Sequence, residues 1–415
     1  MTTTDRFVIR PIHSDEFDAL FYAMRYAFHE SQSAEERESE RSVFEFDRSL
    51  AVFDGDKIVG STVVLSRDVT VPGGPIPVAC VSAVTVAATH TRRGLLTQLM
   101  HRQLSELHEE RREPVAALWA SEAGIYGRYG YGMAARHARL SVPTREVRLK
   151  EPVPPSARQV RLGEANDPAL RAEMVAVYER VRPSAVGHCD RRGNWWDFRL
   201  FDPESRQGGG LTTMRVVLHD AADGSDGYAV FRVRDEWGAR GPEGEVVVHE
   251  VIAETPEADR ALWSFLFDTD LVNLVTLRIG PADTPLVHMV DQPRRIEAEL
   301  GDNLWVRVVD VDRALSARWY ATQLDIVLEV TDAFCPWNAG RWRLVGGPDG
   351  ARCERTDAPA DLALTSTELG AAYLGGTTLA TLAAAGRARE VRPGALREAS
   401  TAFAEPRSPF CPEVF

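Results

Sequence analysis

The chain has no long apolar run and few cysteines, and both absences narrow what it is. None of its 415 residues belongs to an uncharged stretch near the roughly 20 residues that a membrane-crossing helix needs. The opening MTTTDRFVIR also lacks the apolar core of a signal peptide. The five cysteines, Cys80, Cys189, Cys335, Cys353 and Cys411, are odd in number and scattered. They read as reduced thiols rather than a disulfide framework, so a cytoplasmic protein without membrane partners is expected. Neither the phosphate-loop run GxxxxGK nor GxGxxG occurs, which argues against a P-loop and a dinucleotide fold. Val248-His249-Glu250 opens like HExxH, but Ala253 stands where the second histidine belongs, so no zinc site follows. His188 and Cys189 adjoin Arg191 and Arg192 without further ligands at metal spacing, and a surface loop is expected there. No metal is anticipated. The net charge of −13 argues against a nucleic-acid partner and is compatible with a polycationic one.

The informative stretch runs from Val81 to Tyr131. Val78 to Val86 is a β-branched apolar run, read as a largely buried strand. From Gly94 the period changes: Leu96, Leu99, Met100, Leu104 and Leu107 recur at helical spacing, and the helix ends near Arg111 and Arg112 with Pro114 beyond. Val115 to Ala120 is a second buried strand. The turn between strand and helix carries Arg92, Arg93 and Gly94. Free backbone N–H groups at a helix start, the dipole and a glycine that permits close approach suit such a turn to a pyrophosphate.

The remainder divides at visible punctuation. Lys150 to Pro155 is a proline-rich break. A helix follows at about Asp167 to Arg182, then strand-like runs at Thr212 to His219, Tyr228 to Val233 and Glu245 to Ala253. Thr255 and Pro256 open a helix over Glu257 to Phe267, which leads to a strand at Val272 to Ile279. This order repeats the first motif, but Glu254, Glu257 and Asp259 stand where a phosphate would sit, so the second copy should not bind one. Ile326 to Val330 and Arg341 to Val345 are short strands, and Thr365 to Glu368 forms a capping box ahead of a helix at Leu369 to Tyr373.

The order strand, Arg/Gln-x-x-Gly-x-Gly/Ala turn, helix, strand and glycine-rich tyrosine loop resembles the acetyl-CoA core of GCN5-related N-acetyltransferases (GNAT). Thr91 to Leu96 fills the turn with two departures, Thr91 for Arg or Gln and Leu96 for a small residue. RRGLL followed by ASEAGIYGRYGYG resembles the Eis (enhanced intracellular survival) family, multi-acetylating N-acetyltransferases of aminoglycosides and lysines. GDNLWVRVVDVDRALSAR resembles that family's entry to its C-terminal domain, and Ala360 to Val391 looks like a sterol-carrier-protein fold. The fold class implied is mixed α/β: tandem GNAT-like acyltransferase domains at 1–150 and 151–300, the second degenerate, and a sterol-carrier-like domain at 301–415. The resemblance also implies a homohexamer and a small-molecule amine as acceptor. A scaffold role is expected of the third domain, with lipid binding on a relic acyltransferase as the alternative.

Val84, Thr85 and Val86 are expected along the pantetheine arm of acetyl-CoA, with a backbone N–H near Val86 polarising the thioester carbonyl. Arg92, Arg93, Gly94, Leu95, Leu96 and Thr97 form the pyrophosphate turn, and Ser121 and Glu122 match family positions that line the cofactor. The resemblance assigns Tyr126 as general acid, with Gly124, Gly127, Gly130 and Gly132 leaving room for its ring to reach the sulfur. Because a phenol of pKa about 10 gives its proton uphill to a thiolate of pKa about 8.5, a lowered Tyr126 pKa is expected to assist. Tyr129 and Tyr131 are read as packing residues with satisfied hydroxyls. The base implied by the resemblance is the terminal carboxylate, here that of Phe415, at the end of a tail stiffened by Pro406, Pro409 and Pro412; a tail simply docked on its own domain is the competing reading. Phe17, Leu20, Phe21, Met24 and Phe28 form an apolar helical stripe, and Glu30, Glu35, Glu36, Glu38 and Glu40 a solvated face that could attract an amine.

Overall fold

The computed structural model describes residues 7–30, 33–239 and 241–415. Two compact units are present. The first comprises the chain up to Ala135, Cys189–Phe198 and Asp302–Phe415; the second comprises Arg136–His188 and Arg199–Gly301. Among the described residues no helix is long and apolar enough to cross a membrane.

The first unit is built on a seven-stranded sheet. Strands β1 (Val8–Arg10), β2 (Ser49–Asp54), β3 (Lys57–Val71), β4 (Gly74–Val86) and β5 (Val115–Trp119) lie side by side in that order. The Leu304–Val308 strand then pairs antiparallel with β5, and Gly132–Met133 closes the edge. Only β4 and β5 run parallel, because the helix α3 (Leu95–Glu110) crosses over between them. Alternation along β2 separates the two faces. Leu50 and Val52 meet Leu95 and Leu99 of α3. Ala51 and Phe53 meet Phe17, Leu20, Phe21 and Met24 of α1 (Phe17–Phe28). The stripe is core apart from Phe28, which is exposed. On α2 (Ala34–Arg41) the expected solvated face is incomplete. Glu36 is buried, and Glu40 lies beside Arg25 with its carboxyl pushed up by desolvation. A short helix α4 (Ala123–Tyr126) follows β5.

The second unit repeats the plan. Its strands are β6 (Arg136–Pro143), β7 (Val160–Glu164), β8 (Arg215–Ala221), β9 (Gly224–Arg234), β10 (Gly244–Ala253), β11 (Val272–Pro281) and β12 (Glu297–Asp302), in the order β12-β6-β11-β10-β9-β8-β7. The helix α5 (Pro168–Val181) lies against β9 and β10. Again one pair, β10 and β11, is parallel, joined by α6 (Pro256–Phe267). Leu262, Trp263 and Leu266 of α6 bury against Val246, Val248, Val275 and Leu277.

The C-terminal part of the first unit carries a five-stranded sheet of its own. Strands β13 (Leu324–Thr331), β14 (Gly340–Gly347), β15 (Gly350–Arg355), β16 (Leu362–Thr365) and β17 (Arg389–Glu390) are ordered β15-β14-β13-β16-β17. Its helices include α7 (Val311–Ser316), α8 (Ser366–Ala372) and α9 (Ala395–Phe403). The capping box is present: Thr365 accepts from the Thr367 N–H while Glu368 accepts from the Thr365 N–H. The helix therefore starts three residues earlier than its apolar positions suggest.

Candidate functional site

Strands β4 and β5 pair only from Val78↔Val115 to Cys80↔Ala117, then part. The divergence has a visible cause. The β3–β4 register shifts between Ser61 and Val63, and Ala83 takes a left-handed φ of 51°, bulging β4 just beyond the last pair. Ser61 holds the bulge by donating its hydroxyl to the Ala83 carbonyl at 2.7 Å. Beyond it, Gly60 faces Val86 and Ser61 faces Thr85. The Ala87 N–H donates to the Val59 carbonyl at 2.8 Å, which makes that pair a hydrogen-bonded one. Alternation then makes Gly60 and Val86 a non-hydrogen-bonded pair, so the N–H and C=O of Val86 point away from β3 into the gap beside β5. The predicted residues Val84, Thr85 and Val86 thus present a strand edge without a strand partner among the described residues.

The turn at the mouth of this gap leaves a helix start open. Arg92 and Gly94 both adopt left-handed backbone, φ 61° and 78°. The α3 N-terminus has no side-chain cap, and its first backbone bond is donated by Gln98 to Gly94. Leu95, Leu96 and Thr97 thus present their N–H groups at the positive end of a 16-residue helix. Leu95 is buried and anchors the turn, Leu96 is half-buried, and Arg92, Arg93 and Thr97 are exposed. Gly94 is needed for its φ and not for space, since an added Cβ would meet only the Gln98 amide nitrogen at 3.9 Å.

The second unit shows what the absence of such a site looks like. The α6 N-terminus is capped by Thr255, whose hydroxyl accepts from the Ala258 N–H at 3.1 Å. Glu257 and Asp259 occupy its first turn, and Glu254 pairs with Arg180 at 2.5 Å. The Thr255 cap thus adds a structural difference from α3 to the electrostatic one.

Tyr126 ends α4 and is buried at 3% exposure, its ring edge-on to Tyr131 with centroids 6.0 Å apart. Ser121 and Glu122, both exposed, lie just before it at the end of β5. Burial pushes the Tyr126 hydroxyl up, against the pull of its hydrogen bond with Ser121. The expected lowering of its pKa is thus corrected, because desolvation penalises the phenolate more than one hydroxyl stabilises it. Tyr129 meets Thr97 through its hydroxyl at 3.4 Å. Tyr131 departs from expectation: its buried hydroxyl has no hydrogen-bond partner among the described residues. The glycines also divide. Gly124 and Gly127 border open space, as a cleft-side role requires. Gly130 and Gly132 serve packing instead, since a Cβ on Gly132 would lie 2.0 Å from the Thr367 carbonyl of α8, and one on Gly130 2.6 Å from Arg307.

The tail is docked, and the groups that hold it were not foreseen. Asn303 grips Cys411 twice, accepting from its N–H at 2.9 Å and donating to its carbonyl at 3.0 Å. Glu413, 3% exposed at its side chain, lies between Arg67 of β3 at 3.5 Å and Arg191 at 3.3 Å. The Cys411 thiol is 3.8 Å from that of Cys189, which in turn bonds Cys80 on β4. The 188–192 segment is therefore not the surface loop its polarity suggested. Cys189 and Arg191 are buried, and Asp190 accepts from the Arg67 guanidinium and from the Asp68 N–H. Because Cys80 marks the last β4–β5 pair, Cys411 is anchored where the strands part. The four remaining residues reach at most about 14 Å further. Phe415 itself is half-buried, and among the described residues no hydrogen bond joins it to Tyr126. All five cysteines are buried thiols outside any disulfide.

Residues 8–134 match the family described as acetyltransferase (GNAT) domain, residues 187–308 a second family of that description, and residues 311–412 the sterol carrier protein domain. An uncharacterised N-acetyltransferase of Streptomyces avermitilis is 44% identical over the whole of both chains. The N-acetyltransferase Eis of Mycobacterium tuberculosis is 35% identical over 94% of this chain and 95% of its own. The crystal structure of Eis1 from Mycobacterium abscessus superposes with a TM-score of 0.84 at 33% identity, covering 99% of this chain and all of that one. The chain is an N-acetyltransferase, and with this identity along its full length it belongs to the Eis family of GCN5-related N-acetyltransferases.

Proposed function

We propose that the protein transfers acetyl from acetyl-CoA to primary amines of aminoglycosides or other polyamines, with protein lysines as a second acceptor class. The observation that carries this reading is the uncapped α3 N-terminus, with Arg92 and Gly94 left-handed, at the mouth of the gap between β4 and β5. These residues fit a diphosphate followed by an extended amide chain: the turn meets the phosphates, and the free edge of Val84, Thr85 and Val86 pairs with the pantetheine amides. Arg93 and Thr97 border the turn, and Ser121 and Glu122 the opposite strand end.

In this reading the amine nitrogen attacks the thioester carbonyl carbon, whose oxygen is polarised by the Val86 N–H. The carbon–sulfur bond breaks, Tyr126 delivers its proton to the departing sulfur, and the Phe415 carboxylate receives the proton lost by nitrogen. A raised phenol pKa keeps Tyr126 protonated throughout the neutral range, so the proton is always present. Its transfer is uphill by at least about 2 kcal/mol on ordinary pKa values. That cost is met inside a step driven by amide formation. The net charge of −13 favours approach of a polycation. A cytoplasmic homohexamer with no membrane or nucleic-acid partner and no metal completes the proposal.

The test is CoA release from acetyl-CoA with kanamycin as acceptor. Deleting Phe415, or making Tyr126→Phe, is expected to slow turnover at least about 100-fold, the scale of a lost general acid or base, with CoA affinity unchanged. Wild-type turnover in both variants would remove the mechanism. Absence of any CoA-induced thermal shift, with lipid retained through purification, would favour the lipid-binding alternative.

A further inference from the structure

The second sheet has one ordinary face and one unusual face. Along β6, β9, β10 and β11, alternate residues Leu140, Phe231, Val248 and Val275 bury against α6. The residues between them point the other way. On that side α5 covers only part of the sheet. Arg139 of β6, Arg232 and Arg234 of β9, His249 of β10 and Thr276 and Arg278 of β11 stand together there. The segment following α5 adds Arg199 and Arg206, and the result is a cavity of about 560 Å³. Six arginines line it against one carboxylate, Glu245. Nearby carboxylates neutralise only part of this charge. Asp202 holds Arg232 at 2.5 Å, Glu245 holds Arg234 at 2.5 Å and Glu250 stands 3.7 Å from Arg199. Arg139 and Arg278 are exposed and make no ion pair among the described residues. They also line a second cavity of about 320 Å³ with His137 and Glu299, so the cationic wall continues past the first.

His249 reports the field inside. Its Nε2 is buried without a hydrogen-bond partner among the described residues. Burial, then the charges of Arg199, Arg232 and Arg278, push the imidazole down to about 3. Beside that neutral imidazole, Asp202, Glu245 and Glu250 answer some of the guanidinium groups, and Arg139 and Arg278, without an ion pair among the described residues, leave the concave site with a net positive charge. Such a concave cluster of guanidinium groups matches a ligand with several adjacent anionic oxygens, and its forks can engage them two at a time.

We propose that this basin on the second acyltransferase-like sheet is a binding site for a small molecule carrying two or more linked phosphates, separate from the α3 turn. The second unit has lost the helix-terminus anion site at α6 and holds a cationic cavity on the other face of the same sheet.

The experiment is calorimetric titration of the full-length protein, its α3 site first saturated with CoA, with inorganic triphosphate in one arm and ATP in the other. One further equivalent is expected to bind, and Arg139→Glu combined with Arg278→Glu should weaken it at least about tenfold, leaving CoA affinity and acetyl transfer unchanged. Tighter binding of ATP would assign a nucleotide, and equal binding a free polyphosphate. If the double reversal unfolds the protein, Arg139→Gln with Arg278→Gln serves, with a smaller loss expected. No binding above the CoA site, equal binding in the variants, or a change of oligomeric state in place of a loss of ligand would each overturn the proposal. The last would mean that the basin receives an acidic surface of a second copy.

Discussion

Glu413→Gln tests how the tail is held. The wild-type carboxylate answers the buried guanidinium groups of Arg67 and Arg191, whose side chains are 1% and 0% exposed. Removing one partner of a buried pair costs about 3–5 kcal/mol, because the other charge is left unanswered. Here Arg67 keeps Asp190 at 3.1 Å, so the lower end applies. What remains includes the Asn303 pair of hydrogen bonds to Cys411, worth about 1 kcal/mol each in net terms, and the burial of Pro409, Phe410 and Pro412. The tail should therefore leave its groove in a larger fraction of molecules than in the wild type while the sheet remains folded. Steady-state turnover should fall at least about tenfold, the factor that 1.4 kcal/mol represents, with CoA affinity unchanged. Cys411, fully buried in the wild type, should become labelled by a thiol reagent and be read by mass spectrometry. An unlabelled Cys411 with normal turnover would refute the clamp. A labelled Cys411 with normal turnover would instead refute a catalytic role for the tail.

Two further perturbations follow from backbone and burial. Gly94→Ala must either hold an alanine at φ 78° or give up the turn, at a cost of about 1–2 kcal/mol. The cost should be divided between thermal stability and CoA affinity, with Gly94→Asn closer to wild type, and Gly94→Ala matching wild type in both measurements would sink the argument. His249, held at about 3 when folded and near 6.5 when unfolded, takes up its proton only in the unfolded chain between those values. Stability is therefore lost as the pH falls from 6.5 towards 3, by up to about 1.4 kcal/mol per unit. Urea unfolding at pH 7 and pH 5 should show a shallower loss for His249→Gln, and an identical loss would contradict the burial.

Periodicity made the helices legible. Leu99, Met100, Leu104 and Leu107 mark the buried stripe of α3, and Asp167 and Thr255 sit at the N-caps of α5 and α6. The glycine at the start of α3 was legible because its backbone requirement is local, whereas Tyr126 was singled out by the resemblance of its loop. What escaped reading was long-range. Arg67, Arg191 and Glu413 are separated by more than a hundred residues from one another and carry no spacing signal, yet they meet in one buried cluster. Cys80, Cys189 and Cys411 looked scattered for the same reason. The bulge at Ala83 left no trace because alanine has no preference for left-handed backbone. The raised Tyr126 pKa could not be anticipated without knowing how fully the Tyr126 side chain is buried.

The Leu304–Val308 strand lies between β5 and Gly132–Met133, in register with β5 from Trp119 to Val115. The first sheet is therefore unfinished when the ribosome has made its first five strands, and it waits for a piece encoded after the whole intervening unit. A shortened gene ending near residue 150 would yield a sheet with an unpaired β5 edge, prone to join another chain. Completion of this sheet depends on a contact across nearly two hundred residues, the kind of non-local pairing that slows folding.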